Sequence, residues 1–328
     1  MENQPPNCEY ETTPLWLSPR VLCLFRSHRG FCMILLKSDS AVIHESLKQK
    51  SSPEQKEKSF KYLDIHFSDH AQAAFHLVHQ HEKESLRLSL AMPAWRDVKK
   101  HANGAAMTKY VQQPFEEAGF AWNEGTSAED GYNVSVACSS ASLTDDQISL
   151  MASLRQRILA APLLDFINSQ KSGNNAANFA VQISLGAKET FAIASVTDHI
   201  VVIFATVFSD PTDVVLAKVF LQELHDMRKQ QAGLQDAPTV VLGKEPPSDV
   251  AHLLPKRKDD DLNYISFVLF PRHYASDEQA ERLCALIPTY RDYLHYHLKC
   301  TKAYLHGRMR AKTTDFLKIL NRAKPENF

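Results

Sequence analysis

The hydrophobic positions along the chain change their period several times, and each change marks a predicted element. "MILLKSDSAVIHESLK" (33–48) has apolar residues near helical spacing, which predicts an amphipathic helix. "FKYLDIHFSDHAQAAFHLVHQ" and "SLRLSLAM" then alternate between apolar and polar residues, as half-buried strands do. A helix from Pro93 to about Phe120 and the strand "GYNVSVAC" complete this first series of elements.

The same order of elements starts again at Thr144. This residue is a predicted N-cap for the helix in "DDQISLMASLRQRILAAPLLDFINSQ", which Pro162 should end or kink. Strands are predicted at "NFAVQISLG", "ETFAIASVT" and "HIVVIFATVF", followed by a helix at "TDVVLAKVFLQELHDMRKQQ". "APTVVLGK" and the strand "NYISFVLFP" close the series. Because short turns and not helical crossovers join the strands, the sheets should be antiparallel.

The pattern therefore predicts an α+β protein built from two tandem, similar domains with antiparallel sheets and flanking helices, followed by a long C-terminal helix. The predicted domains are residues 33–142 and 143–275, and the helix covers residues 276–324. Residues 1–32 are spaced by prolines and keep no period, so we expect a poorly ordered N-terminal extension there.

The C-terminal helix is predicted to extend beyond its own domain. Ser276 and Gln279 form a capping box at its start, and Pro288 should bend the chain before the main helical segment. From Thr289 to Arg322 the helix would be about 50 Å long at roughly 1.5 Å per residue, which is longer than a domain of about 130 residues is wide. Part of it must therefore pack on something else.

One face of this helix carries apolar and small residues at alternating steps of four and three, close to the period of a coiled-coil seam. His297, Thr301 and Lys312 interrupt the seam. The residues expected to contact a partner helix or the protein's own domains are Tyr290, Leu294, Leu305, Met309, Phe316 and Leu320.

Charge is distributed unevenly, although the net charge of the chain is only −1. From Arg291 onward nine basic residues oppose three acidic ones, so this end carries +6 and the remainder carries −7. A basic end on an acidic body predicts an acidic partner for that end. The candidate binding residues, in order of preference, are Lys318, Arg322, Arg308, Arg310 and Lys312.

Composition and motifs exclude several classes of function. Hydrophobic residues at 44% and six scattered cysteines indicate a soluble, cytoplasmic globular protein, and no apolar run approaches the ~20 residues of a membrane span. His295 and His297 would point away from each other on a helix, and His66 and His70 lie in a predicted strand or turn. Nucleotide-binding and hydrolase motifs are absent. We therefore expect no catalysis, no cofactor and no metal.

The C-terminal runs "YISFVLFPRH" and "YRDYLHYHLKCTKAYLHGRMRAKTTDFLKILNRAKP" resemble the signature of subunit 2 of the actin-related protein 2/3 complex. "MILL" (33–36), "GYNVSV" (131–136), "VVIFATVFSDPTDVVLAKVFLQE" (201–223) and "EPP" (245–247) occur in the order of that family. The resemblance covers residues 33 to about 325 and is densest after Tyr264.

The resemblance implies a non-catalytic scaffold of the cytoplasmic cytoskeleton. Its long helix would pair with the related helix of subunit 4, forming a core that carries the actin-related proteins and the other subunits. The complex would nucleate a daughter filament on the side of an existing actin filament. Lys318 and Arg322 would contact that filament first, followed by Arg308, Arg310 and Lys312, and no nucleic acid would be bound.

The chain departs from the family pattern at a few places. Residues 1–32 precede the family's usual start, Pro288 and Gly307 replace helix-compatible residues, and the chain stops at Phe328, where relatives continue with a polar tail. A second functional class also fits the basic end, namely a stand-alone basic-helix protein that binds nucleic acid or acidic lipid. That class predicts a monomer whose binding falls steeply with salt, whereas a scaffold predicts an obligate partner.

Overall fold

The fold is seen in a computed structural model, which describes residues 39–51, 63–80, 85–101, 104–139, 143–173, 179–230, 237–255 and 261–322. The predicted N-terminal extension and the beginning of the first predicted helix lie outside these residues.

The first half of the chain forms a five-stranded antiparallel sheet in the order β1-β2-β3-β5-β4. Its strands are β1 (Leu63–Asp69), β2 (Ala73–Gln80), β3 (Ser85–Ala91), β4 (Ala121–Glu124) and β5 (Val134–Ser139). Strand β4 was not predicted, because four residues are too few to show an alternating pattern.

The second half repeats this topology in a second five-stranded antiparallel sheet, with the order β6-β7-β8-β10-β9. Its strands are β6 (Phe179–Ser184), β7 (Thr190–Ser195), β8 (Ile200–Val207), β9 (Thr239–Gly243) and β10 (Leu262–Leu269). In both sheets the last strand in sequence inserts between the third and fourth. The predicted α+β class with antiparallel sheets is therefore confirmed, whereas the domain boundaries stay predictions.

Helices connect the strands at equivalent places in the two halves, and each half has helical segments before its first strand and between its third and fourth strands. The described helices are α1 (Ala41–Ser51), α2 (Trp95–His101), α3 (the consecutive segments Gly104–Met107, Thr108–Gln112 and Gln113–Glu117, of which the middle one is a π-helix), α4 (Asp145–Ala152), α5 (Leu154–Lys171), α6 (Pro211–Gln230), α7 (Asp277–Leu286) and α8 (Tyr290–Arg322).

The predicted N-cap at Thr144 is confirmed, since its side chain accepts a hydrogen bond from the backbone N–H of Gln147. The helix does not end at Pro162, which lies in the middle of α5. The predicted helix is interrupted instead at Ser153, between α4 and α5. Most side chains of α5 around the proline are buried, so packing outweighs the backbone hydrogen bond that proline cannot donate.

Helix α5 is central to one continuous hydrophobic core that both sheets share. It contacts α2, α3, α7 and β7, and its middle, from Ile158 to Leu164, is buried on every side. The core includes Ile43, Leu88, Leu159, Phe204 and Leu298, which come from α1, β3, α5, β8 and α8. Each such aliphatic or aromatic side chain contributes about 1.5–3 kcal/mol on burial.

The C-terminal segment begins as predicted with a capping box between Ser276 and Gln279. A 3₁₀ turn, Ile287–Thr289, contains Pro288 and separates α7 from α8, so the predicted single helix is divided in two. Gly307 does not interrupt α8, and the space around its Cα is open. Among the described residues, none of the helices combines the length and apolar character needed to cross a membrane.

Candidate functional site

Helix α8 has two parts with different surroundings. Its first part, residues 290–302, packs on the chain and contains the buried side chains of Asp292, Tyr293, Leu294 and Leu298. Its second part, residues 303–322, is exposed at every position and is called the projecting segment below. Twenty helical residues extend roughly 30 Å, so α8 presents a long surface beyond the body of the protein.

A buried ion pair fixes the first part of α8. Both terminal nitrogens of Arg155, on α5, donate to Oδ2 of Asp292 at 3.1 Å, and both side chains are less than a tenth exposed. Arg155 also donates to the carbonyl oxygen of His70 at 2.9 Å, in the turn between β1 and β2. One guanidinium thus ties together the first sheet, the central helix and α8.

A second pair attaches α8 to the other sheet. Arg291 donates to Oδ1 of Asp292 at 2.9 Å and also forms an ion pair with Glu189, which precedes β7. Burial alone would raise the pKa of Glu189, but the hydrogen bond and charge of Arg291 outweigh it and hold that pKa below its usual value. Glu189 therefore stays ionised and remains paired with Arg291 of α8.

His295 continues this network as a neutral side chain. Thr206 donates its hydroxyl proton to Oε1 of Glu189 at 2.7 Å, so its oxygen accepts from Nε2–H of His295 at 2.8 Å. Burial, together with the charge of Arg291, lowers the pKa of His295 to about 4. The ring also stacks on Phe208 at a centroid distance of 5.1 Å.

Lys302 makes the last ionic contact before the helix leaves the body. Its ammonium lies 2.6 Å from Oδ2 of Asp210 and 2.8 Å from Oδ1 of Asp213, at the beginning of α6. The hydrogen bonds with these carboxylates raise the pKa of Lys302. The projecting segment starts at the next residue, so the direction in which it extends is set by contacts along the whole first part.

The predicted seam residues divide between the two parts of α8. Leu294 is fully buried within the chain, and Tyr290 packs against the core with its ring edge-on to Phe267 at 4.7 Å. The other four lie on the projecting segment with large exposed fractions, namely Leu305 (42%), Met309 (69%), Phe316 (58%) and Leu320 (45%).

These four side chains lie within a narrow sector of the helix at 100° per residue and form one apolar stripe, which is defined here as Leu305, Met309, Phe316 and Leu320. Leu317 and Ile319 are also exposed but lie on its flanks. The sequence pattern did not single out these two residues, since they are out of phase with the seam. An apolar surface of this kind on a single-chain protein indicates a partner.

All five predicted basic residues lie on the projecting segment. They oppose a single acidic residue there, Asp315, so the segment carries +4. Lys318 and Arg322 lie on the side away from the apolar stripe, Arg308 and Arg310 lie on its two flanks, and Lys312 lies at its edge. Arg308 folds over the ring of Tyr304, and Lys318 is 3.4 Å from Asp315 in an exposed ion pair.

The sequence placed the predicted binding residues on one helix, but it did not identify the contacts that anchor this helix. Arg155, Glu189 and Asp292 come from three distant segments, and no spacing rule connects them. The single signal in the sequence was Asp292 itself, an acidic residue inside a strongly basic run.

Two similar sheets share one core, and an anchored helix presents an apolar stripe and a basic face. These features define a class of protein that binds partners and holds them in position. The comparisons with known proteins agree. Residues 88–327 match the family model described as Arp2/3 complex, 34 kD subunit p34-Arc. The chain belongs to this family, and the resemblance seen in its C-terminal sequence is confirmed.

Two relatives extend the match over most of the chain. The actin-related protein 2/3 complex subunit 2 of Dictyostelium discoideum is 32% identical over 264 residues, which cover 79% of this chain and 85% of the relative. The subunit 2 of Schizosaccharomyces pombe is 30% identical over 325 residues, which cover 90% of this chain and 95% of the relative.

Removing one partner of the buried ion pair should destabilise the fold. We expect Asp292→Ala to lower the free energy of unfolding by about 3–5 kcal/mol, because it leaves the guanidinium of Arg155 buried without its carboxylate. Urea denaturation measures the effect. Asp315→Ala breaks only an exposed pair and should change stability by less than about 0.5 kcal/mol. Equal losses in both variants would show that the buried pair has no special role.

The pKa of His295 predicts a pH dependence. Because its folded-state pKa is near 4 and its unfolded value is 6.5, the unfolded chain binds the extra proton between these pH values. The stability of the protein should therefore fall by roughly 2 kcal/mol from pH 7 to pH 5 on account of this group. The depressed pKa of Glu189 acts at lower pH, so the two effects are separable.

Denaturation curves across this pH range test the assignment. His295→Gln keeps a side chain that can donate to Thr206 and should flatten the pH dependence above pH 5. His306→Gln changes an exposed histidine of the projecting segment and serves as the control. An unchanged slope in His295→Gln would mean that other groups cause the loss.

Proposed function

We propose that this chain is a non-catalytic scaffold subunit of an actin-nucleating complex of the Arp2/3 type in the cytoplasmic actin cytoskeleton. The observation that carries the proposal is the projecting segment of α8, which combines an uncovered apolar stripe with a basic face in a member of the p34-Arc family. The names of the two relatives describe them as subunits of that complex.

The apolar stripe is assigned to a partner helix. It extends from Leu305 to Leu320, about 22 Å at 1.5 Å per residue, which is long enough for four successive turns to pack against another helix. The family resemblance points to the long helix of subunit 4 as that partner, and through it to the actin-related proteins and the other subunits. Burying four large apolar side chains would favour association by several kcal/mol before the cost of ordering.

The basic face is assigned to the actin filament. Lys318 and Arg322 lie one turn apart on the side away from the apolar stripe, so a partner helix on the stripe leaves them exposed. Arg308, Arg310 and Lys312 lie at the borders between the two surfaces. An acidic filament surface would attract such a face by charge, and the attraction would weaken with salt.

The alternative, a stand-alone helix that binds nucleic acid or acidic lipid, has no support from the comparisons. It also leaves the apolar stripe without an explanation, because phosphate binding needs only the basic residues. The scaffold function uses both faces of the helix, and it is therefore preferred.

A pair of adjacent substitutions tests the apolar stripe. Phe316→Asp places a charge in the stripe, whereas Leu317→Asp places the same charge about 100° away at a similarly exposed position. When the chain is co-expressed with a subunit 4 protein, Phe316→Asp should abolish co-elution in size-exclusion chromatography and Leu317→Asp should retain it. Loss of co-elution in both variants, or in neither, would contradict the assigned face.

Charge reversal tests the filament contact. The double change Lys318→Glu and Arg322→Glu should reduce co-sedimentation of the assembled complex with actin filaments by at least about tenfold, because two attractive contacts become repulsive. The matched control reverses two other exposed lysines, Lys218 and Lys299, and should sediment like the unchanged protein. Equal losses would indicate a general charge effect. Tight binding of the isolated chain to DNA or anionic vesicles, without filament binding, would support the alternative class.

A further inference from the structure

Three potential metal ligands come together on the outer edge of the first sheet, far in sequence from α8. They are Asp64 and His66 on β1 and His76 on β2. One ligand atom from each residue lies within 4.8 Å of the other two. The sequence drew attention to a different histidine pair, His66 and His70, because of its helical spacing, and the structure shows this segment to be a strand followed by a turn.

The register of the two strands creates the cluster. His66 and His76 are directly paired across β1 and β2, and their rings stack at a centroid distance of 3.8 Å. Asp64 lies two residues before His66 and therefore on the same face of the strand. Its Oδ1 is 3.0 Å from Nε2 of His76 and 3.5 Å from Nε2 of His66. The two Nε2 atoms thus face one carboxylate oxygen.

Partners on the far side of each ring keep the Nε2 atoms pointing inward. Nδ1 of His76 donates to Oε1 of Glu129 at 2.7 Å, and Nδ1 of His66 is hydrogen-bonded to the hydroxyl of Tyr132 at 3.1 Å. Carboxylates and other acceptors in these positions are what hold metal-binding histidines in the required tautomer. Glu129 is itself fixed by Ser89, whose hydroxyl donates to Oε2 at 2.5 Å.

The charge of the cluster suits a cation. Asp64 and Glu129 contribute two negative charges, and Arg87, at 3.2 Å from Glu129, returns one positive charge. His76 is buried while Asp64 and His66 are exposed, so the cluster is anchored on one side and open to solvent on the other. An ion can therefore enter without opening the fold.

We propose that Asp64, His66 and His76 form a binding site for a zinc-class divalent transition metal ion, with a fourth coordination position open to solvent. Two imidazoles and one carboxylate are typical zinc ligands, and an open position is found in sites with three protein ligands. Tetrahedral ligands at 2.0–2.1 Å from zinc lie about 3.3 Å apart. The two rings are nearly parallel, with an interplanar angle of 10°, so the exposed His66 ring must tilt out of the stack for both Nε2 atoms to bind one ion. The bound ion would clamp edge strand β1 to β2.

The test uses the full-length, tag-free protein with Zn²⁺ alone, measured by isothermal titration calorimetry, and with Co²⁺ as a spectroscopic substitute. The expected result is one ion per chain, a visible absorption band of four-coordinate Co²⁺ and a higher Tm in zinc.

Variants separate this site from other histidines. His66→Ala changes an exposed side chain, so the fold should persist, and it should abolish the titration and the Co²⁺ band. Tyr132→Phe removes only the outer hydrogen bond to His66 and should weaken binding by roughly tenfold. His70→Ala, which alters the neighbouring histidine, should bind as the unchanged protein does. Absence of stoichiometric binding, or full binding by His66→Ala, would overturn the proposal.

Discussion

The buried ion pair between Arg155 and Asp292 is the contact on which the position of α8 depends. Two charges removed from water are stable only when their geometry and remaining hydrogen bonds are nearly complete. Here Arg155 also binds the carbonyl oxygen of His70, and Asp292 also binds Arg291, so each member of the pair has one further partner. Because these partners belong to the first sheet, the central helix and α8 itself, the pair fixes one relative arrangement of all three.

The anchor fixes the direction in which the projecting segment leaves the body of the protein. A helix of 20 exposed residues has little tertiary support of its own, since isolated helices of that length are only marginally stable in water. Its first part is held by ionic contacts at both ends, Asp292 near the start and Lys302 at the exit. The segment therefore leaves the body in a defined direction, and a partner that covers its apolar stripe binds a surface that is already oriented.

The binding surfaces proposed on α8 and the metal site proposed on β1 and β2 depend on the sequence in different ways. The surfaces of α8 lie on one helix, so residue spacing and net charge were enough to select the five basic residues and the four residues of the apolar stripe, although not the exposed Leu317 and Ile319. The cluster on β1 and β2 depends on the cross-strand pairing of His66 with His76. Helical spacing does not identify residues that meet in this way. The expectation of no metal considered only histidine pairs that are close in sequence, whereas the zinc-class site is proposed from a pair that strand register brings together.

The sequence by itself determined the order of helices and strands, the repeated α+β plan, the cap at Thr144 and the basic character of the C-terminal end. These features depend on residues that are close in sequence, where side-chain size, charge and spacing act directly. Only the tertiary structure decided that α5 continues through Pro162, that β4 exists and that α8 is half docked and half exposed. Arg155 and Asp292 are 137 residues apart, and contacts over such distances arise from packing and strand register, which no local pattern records.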